Sequence, residues 1–365
     1  MANINLSKAK NAKQNEFYTQ YADIQKEVNA YLEYDPNVFR GKTVLLPCDD
    51  PEWSNFTKFF AQNFEYFGIK KLISTSYAPA AKSMQYGSLF SYAQENGCEV
   101  PDNERGRIFV LDHDTNKNGR IDIEDLEWKY LKGDGDFRSD EVKKLRDEAD
   151  IIVTNPPFTL FREFLAWIMK AHKKFLVLGN KNSVTYKDVF PLIKDNKLWA
   201  GSTSWSKDML FTVPSELEKE ILSESNNGSK YRIIDDKFFA RTSSVWYTNI
   251  EHGRRHQPLQ LMSEEDNIKY SRHKEIRGIG YARYDNYDAI EVPFTDAIPS
   301  DYNGVMGVPI SFLDKYCPAQ FELLGVFNHG KDGPWDFATA TVNGVEKFKR
   351  LAIRHRRLTK KGSKK

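Results

Sequence analysis

Short apolar runs alternate with longer helix-period segments over the first half of the chain, and their order predicts an architecture. The strand-like runs are KTVLLP (Lys42–Pro47), KLISTS (Lys71–Ser76), RIFVLD (Arg107–Asp112), DIIVTN (Asp150–Asn155) and KFLVLGN (Lys174–Asn180). Helix-period segments run through about Tyr34, from about Ser54 to Phe67, and after Asn155 to about Lys170. Such alternation predicts βαβ units around a parallel sheet, an α/β, Rossmann-like half. From roughly Pro214 the pattern turns to aromatic-rich short strands with Asn-Gly, Pro-Ser and Asp-Gly turn pairs, a second, mixed or mostly β region. The expected division is therefore 1–213 and 214–365.

One strand stops abruptly. DIIVTN runs into Asn155-Pro156-Pro157-Phe158 and then into an amphipathic helix, and two prolines in succession continue neither a ladder nor a helix interior. Open α/β sheets place their ligands at the carboxyl ends of their strands. The Asn155 side-chain oxygen and the Pro156 carbonyl are there as two acceptors, with the Phe158 ring beside them. These types suit methylation of an exocyclic amine on an aromatic base, whose lone pair is delocalised into the ring. Two acceptors on that NH2 favour a pyramidal nitrogen, Phe158 stacks on the base, and Pro157 keeps the turn rigid. Asn-Pro by itself would read as a strand-ending turn; the four residues together in this setting favour function.

Composition narrows the class. The chain has 365 residues, 40% of them hydrophobic, enough for a large core. It shows no run of about 18 apolar residues and no charged-then-apolar leader, so a cytoplasmic protein with no membrane partner is expected. Cys48, Cys98 and Cys317 have neither metal spacing nor a disulfide framework. Of the 53 Lys and Arg, 10 lie between Lys347 and Lys365, a stretch without acids, leaving 43 basic against 51 acidic residues elsewhere. A basic end on an acidic body suits contact with phosphates and equally a solvated tail.

NPPF and several further stretches resemble the EcoRI-type adenine-N6 DNA methyltransferases, which use S-adenosylmethionine. The stretches are NEFYTQ (Asn15–Gln20), LLPCDDPEWSNFTKFF (Leu45–Phe60), LKGDGDFRSDE (Leu131–Glu141), VTNPPFTLFREF (Val153–Phe164), WYTNI (Trp246–Ile250), and NYDAIEV and IPSDYNGVMGVPISFL between Asn286 and Leu313. The resemblance implies a methyltransferase sheet followed by a β-rich target-recognition region, acting on duplex DNA and paired in some systems with a restriction endonuclease for the same site. It implies that Tyr18 and Thr19 line the methionine end of the cofactor, that Asp49 and Asp50 face its ammonium, and that Pro51 opens the next helix. It puts Asp134 or Asp136 near the cofactor's adenine amine and Phe137 against that ring. The sequence departs from the general pattern in lacking a GxG turn after the first strand and an acid after KLISTSY for the ribose.

A second signal is DTNKNGRIDIED. Asp114, Asn116, Asn118, Gly119, Ile121, Asp122 and Asp125 fall at positions 1, 3, 5, 6, 8, 9 and 12 of an EF-hand-like loop, followed by helix-like EDLEWKYLK. The spacing suits a structural Ca2+ site and equally a solvated acidic turn. Basic residues among aromatics at Arg254, Arg255, Arg272, Lys274, Arg277, Arg354, Arg356 and Arg357 are expected to meet DNA, chiefly at phosphates. Competing readings are an amino-methyltransferase acting on RNA or protein glutamine and a non-catalytic DNA-binding module of the same fold. Cytosine-C5 methylation, prompted by Pro47-Cys48, needs its cysteine where this chain has Asn155.

Overall fold

The computed structural model describes residues 18–50, 54–77, 105–206, 208–213, 215–327 and 339–356. The chain divides into two compact units, each discontinuous in sequence: residues 1–181 with 207–251, and residues 182–206 with 252–365.

In the first unit, seven strands of one large sheet run in the order β5-β4-β3-β2-β6-β7-β11. They are β2 (Thr43–Leu46), β3 (Lys71–Ser76), β4 (Arg107–Leu111), β5 (Glu127–Tyr130), β6 (Ile151–Thr154), β7 (Lys174–Asn180) and β11 (Ser244–Thr248). β2 and β6 are buried at every position, which is why they read as unbroken apolar runs. The centre, β3-β2-β6-β7, is parallel as expected. The flanks are not, since β4 is antiparallel to β3, β5 to β4, and β11 to β7. The sheet is therefore mixed.

EDLEWKYLK is a correction. A single 3-10 turn at Ile123–Asp125 leads into β5, not into a helix. Trp128 and Tyr130 alternate with Lys129, Trp128 and Tyr130 pack edge-on at 5.2 Å, and Arg107 lies over the Trp128 ring at 5.7 Å. Cross-strand packing on β4 outweighs the modest helix propensity of the run.

Helices cover the sheet. α1 (Tyr21–Tyr34) buries Ile24, Val28 and Tyr31. α2 (Asn55–Gln62) buries Phe56, Phe59 and Phe60, positions one turn apart on a single face, and Ser54 caps it by accepting from the Phe56 amide at 3.1 Å. The expected single helix to Phe67 breaks at Asn63; α3 (Phe64–Phe67) follows and stops at Gly68, left-handed at φ 63°. α4 (Asp140–Glu148) begins under a Ser139 cap, and α5 (Phe161–Lys170) buries Phe161, Phe164, Leu165, Trp167 and Ile168. A smaller antiparallel sheet joins β1 (Tyr18–Thr19), β8 (Met209–Thr212), β10 (Lys237–Thr242) and β9 (Tyr231–Ile234). It places Thr19 opposite Phe211 across nearly two hundred residues of chain.

The second unit carries a four-stranded sheet ordered β12-β13-β17-β14: β12 (Ala289–Glu291), β13 (Val305–Pro309), β17 (Arg350–His355) and β14 (Phe321–Phe327). LAIRHRRL thus supplies a central strand through His355, with Leu351, Ala352 and Ile353 buried, and not a free tail at those positions. Glu291 is buried, Arg350 Nη2 and Nε both donate to its Oε1 at 2.7 and 3.0 Å, Nε also reaches Oε2 at 3.2 Å, and the Tyr284 hydroxyl donates to the same carboxylate. A small hairpin, β15 (Thr341–Val342) and β16 (Val345–Glu346), and the helix α6 (Glu264–Tyr270) also belong to it. Among the described residues no helix is long and apolar enough to cross a membrane.

Candidate active site

β2 has β3 on one side and β6 on the other, so the chain reverses its direction of travel across the sheet at β2. Ligand crevices in open α/β sheets form at such a reversal, beyond the strand carboxyl ends. Asp49 follows β2 and Asn155 follows β6 at that point.

The loop after β2 is held by hydroxyls. The Asp49 amide donates to the Thr75 carbonyl at 3.1 Å, Thr75 Oγ1 donates to the Pro47 carbonyl at 3.0 Å, and Ser74 and Thr57 both donate to the Asp49 carbonyl. The Asp49 side chain is 4% exposed, with Ser54 Oγ donating to Oδ1 at 2.7 Å and Thr154 Oγ1 to Oδ2 at 2.5 Å. Burial pushes this carboxyl from its ordinary 3.8 up to about 7, against the Thr154 and Ser54 hydrogen bonds and with some help from the Asp50 charge. Thr154 is the residue before Asn155. One buried carboxylate thus bridges the α2 cap and the backbone that carries NPPF.

Thr154 is buried, Asn155 half-buried with its side-chain oxygen sealed from solvent, and Pro156 buried. Pro157, at φ -55° and ψ 120°, turns the chain into a 3-10 turn at Phe158–Leu160 ahead of α5. The half-buried Phe158 ring meets Phe211 edge-on at 6.4 Å. Since Phe211 pairs with Thr19, the N-terminal motif comes beside NPPF through β8. The Thr19 carbonyl also accepts from Asn55 Nδ2 at 2.8 Å, which ties it to the start of α2. Thr19 Oγ1 and Gln20 Nε2 are buried without a hydrogen-bond partner among the described residues. Buried polar atoms left so are costly unless a ligand meets them.

The GDGDF segment comes to the same sheet edge. Gly135, at φ 84°, lies so close to the end of β3 that an added Cβ would sit 2.3 Å from the Ser76 carbonyl oxygen. We predict that Gly135→Ala costs about 2–3 kcal/mol, from left-handed strain plus the forced separation from Ser76; denaturant unfolding measures it, and an unchanged midpoint would refute the close crossing. Asp134 accepts from the Asp136 amide at 2.9 Å, and burial raises its carboxyl pKa. Asp136 pairs with Arg138 at 2.6 Å. Phe137 is a core residue, 4% exposed and edge-on to Phe164 and Trp167 at 5.1 and 5.7 Å. Asp50 is half-buried in the loop, and Pro51 lies outside the described residues.

Thr154, Ser54, Ser74, Asn55, Gln20 and Phe211 were not anticipated. The signal available was hydroxyls clustered at the ends of otherwise apolar strands, in IIVT and KLISTS.

The Ca2+ reading is not supported. Asp125 accepts from the Thr115 and Asn116 amides at 2.9 and 3.1 Å, from the Thr115 hydroxyl at 2.9 Å, and on its other oxygen from the Asp122 amide at 3.1 Å. Asp114, Asn116, Asn118 and Asp122 likewise accept from loop amides. The EF-like spacing folds a self-capped turn connecting β4 to β5. Among the described residues no group of three or more His, Cys, Asp or Glu is placed to hold a metal ion.

The basic residues of the second unit differ in state. Arg254 donates to the Ser202 carbonyl at 2.6 Å and pairs with Asp314 at 2.8 Å; Arg255 is 8% exposed, 3.8 Å over the Trp199 ring. Arg272 is exposed and pairs with Asp296 at 2.7 Å. Lys274 and Arg277 are exposed. Arg354 pairs with Glu322 at 2.8 Å, and Arg356 donates to the Phe321 carbonyl at 3.1 Å. Arg357 lies outside the described residues.

Comparison with known proteins agrees in one direction. The family model described as adenine-specific methyltransferase EcoRI matches residues 5–365. The chain is 40% identical over 355 residues to the type II methyltransferase M.EcoRI of Escherichia coli, covering 97% of each protein. It is 35% identical over 319 residues to the type II methyltransferase M.MpnI of Mycoplasma pneumoniae, covering 87% of this chain and 84% of that one. No solved structure matches.

Proposed function

The chain belongs to the adenine-specific methyltransferase EcoRI family, and on that premise we propose that it methylates N6 of an adenine flipped out of a specific site in duplex DNA. The observation that carries the residue assignment is the Asp49–Thr154 hydrogen bond, which sets NPPF against the loop expected to hold the cofactor.

The family uses S-adenosylmethionine, which supplies an electrophilic methyl group on a sulfonium. We assign its binding to the Rossmann-like first unit: Tyr18, Thr19, Asp49, Asp50 and Pro51 toward the methionine end, with Asp134 and Asp136 toward the adenine. Thr19 Oγ1 and Gln20 Nε2, buried and without a hydrogen-bond partner among the described residues, fit such a ligand. Phe137, buried against Phe164 and Trp167, is assigned to support the Asp136 turn beside the cofactor ring.

Asn155 Oδ1 and the Pro156 carbonyl accept hydrogen bonds from the target amine, and Phe158 offers its ring to the base. Withdrawing the nitrogen lone pair from conjugation points it along the line of attack; no covalent intermediate is needed. The second unit is the target-recognition region, with Arg272, Lys274, Arg277, Arg354 and Arg356 on phosphates and Arg254 and Arg255 shaping the surface behind them. The proposal extends to a partner endonuclease that cuts the same site.

The test is incubation with labelled S-adenosylmethionine and separate samples of unmethylated duplex DNA, RNA and protein, followed by mass spectrometry. N6-methyladenine in DNA alone is expected. Label in RNA or protein, or none in DNA, would overturn the assignment.

A further inference from the structure

We propose that Thr154 is a positioning residue for methyl transfer: its hydroxyl, bonded to the Asp49 side chain, sets the spacing between the loop after β2 and the amine-accepting Asn155 and Pro156. This rests on the DNA-methylation reading above and gives a task to a residue outside the NPPF motif.

β2 and β6 part where the site begins. Their ladder pairs Val44 with Ile151 and Leu45 with Ile152 and goes no further. Each strand continues on its other side, β2 with β3 as far as Leu46 and Ser74, and β6 with β7 as far as Thr154 and Val177. The loop after β2 stays with β3, since the Asp49 amide donates to the Thr75 carbonyl and the Ser74 hydroxyl to the Asp49 carbonyl. Two main-chain frameworks thus diverge, one carrying Asp49 and the other leading into Asn155. Thr154 Oγ1 crosses from the second to the first through its 2.5 Å hydrogen bond to Asp49 Oδ2.

β6 is buried at all four positions, Ile151, Ile152, Val153 and Thr154, and Thr154 is 0% exposed. A fourth aliphatic residue would fill that place without needing a partner, whereas a buried hydroxyl must be paired. A buried polar pair contributes little net stability compared with apolar side chains of similar volume, so this one points to geometry. Methyl transfer depends on such geometry, because donor and acceptor must be in line, and a misplacement of about 1 Å costs on the order of 10²-fold in rate. On the reading above Asp49 faces the methyl donor and Asn155 the amine, so the spacing of the two frameworks aligns them. Thr154, directly before Asn155, acts on that spacing without touching either reactant.

The test uses full-length Thr154→Val and Thr154→Ser with two readouts, one of them free of cofactor. Hydrogen exchange followed by mass spectrometry, on protein without S-adenosylmethionine, is expected to quicken in Thr154→Val over residues 155–161 and to stay at the wild-type level over 174–180. Single-turnover methylation uses saturating S-adenosylmethionine and a saturating duplex carrying the site found by sequencing the methylated product. There Thr154→Val is expected to be slower by about 10- to 100-fold. Its cofactor Kd should rise no more than about fivefold, the loss of one hydrogen bond, because Ser54 still donates to Asp49 Oδ1. Thr154→Ser, which keeps the hydroxyl, restores most of the rate and the wild-type exchange.

An undiminished rate at saturation overturns the proposal, since the residue would then serve cofactor binding alone. Faster exchange throughout the first unit, or a serine variant as slow as the valine one, would make Thr154 a general support and also overturns it. If the wild-type protein methylates no DNA, the reading beneath falls and the proposal with it, whatever the exchange shows.

Discussion

Asn155→Ala is expected to lower kcat by roughly 10²–10³-fold while cofactor affinity stays close to wild type. The magnitude follows from the loss of one preorganised hydrogen-bonding group at the centre where charge redistributes in the transition state. Asn155 stands at the carboxyl end of β6 with its side-chain oxygen sealed from solvent, between the buried Thr154 and Pro156. An acceptor so placed meets the target amine most strongly as the nitrogen becomes pyramidal, so its removal falls on kcat more than on binding. Cofactor affinity should survive because the Asp49 contacts run to Thr154 and Ser54, neither of which the substitution touches. Single-turnover methylation with excess enzyme, read beside equilibrium cofactor binding, checks both halves. Undiminished turnover would remove Asn155 from the chemistry; equal loss of both activities would make it structural.

The second large effect lies in the pH dependence of stability. The Asp49 carboxyl is raised by burial from 3.8 to about 7 in the folded protein. A raised carboxylate pKa means that the folded state holds the proton more tightly than the unfolded chain. The stabilisation is fully present below about pH 4 and is lost as pH rises through about 7, an upper bound of roughly 4 kcal/mol at about 1.4 kcal/mol per unit. Asp49→Asn keeps the shape and an acceptor, removes the titration, and should flatten that part of the curve. The same group gives cofactor binding a pH signature. If Asp49 faces the cofactor's ammonium, binding draws the proton off, and affinity rises with pH until about 7 and then levels. Thermal melts of wild type and Asp49→Asn between pH 5 and 8, with and without S-adenosylmethionine, measure both. Parallel curves for the two proteins would refute the role of Asp49.

The parallel centre of the sheet and the abrupt end of β6 at NPPF were legible because both are written in short windows: unbroken apolar runs, then two prolines after an asparagine. EDLEWKYLK was not, since its strand depends on β4, a pairing no local period reveals. The acidic loop had the spacing of a cation site, but Asp125 reaches its own chain's amides, and oxygen spacing alone does not distinguish amide caps from ligands. The coupling across the site was hidden for a different reason. Asp49 and Thr154 stand 105 residues apart, and neither is unusual in its own window. The two units interleave along the chain, so a single change of pattern near residue 214 traces only part of their division.

The pairing of β1 with β8 has a consequence for biosynthesis. Tyr18 and Thr19 leave the ribosome early, yet the strand they pair with ends at Thr212, and Phe211 stands between Thr19 and Phe158. Until that stretch has been translated, the N-terminal motif has no partner strand and NPPF lacks one of its walls. The order of synthesis therefore defers the pairing of β1 until the first piece of the second unit, residues 182–206, has already been made.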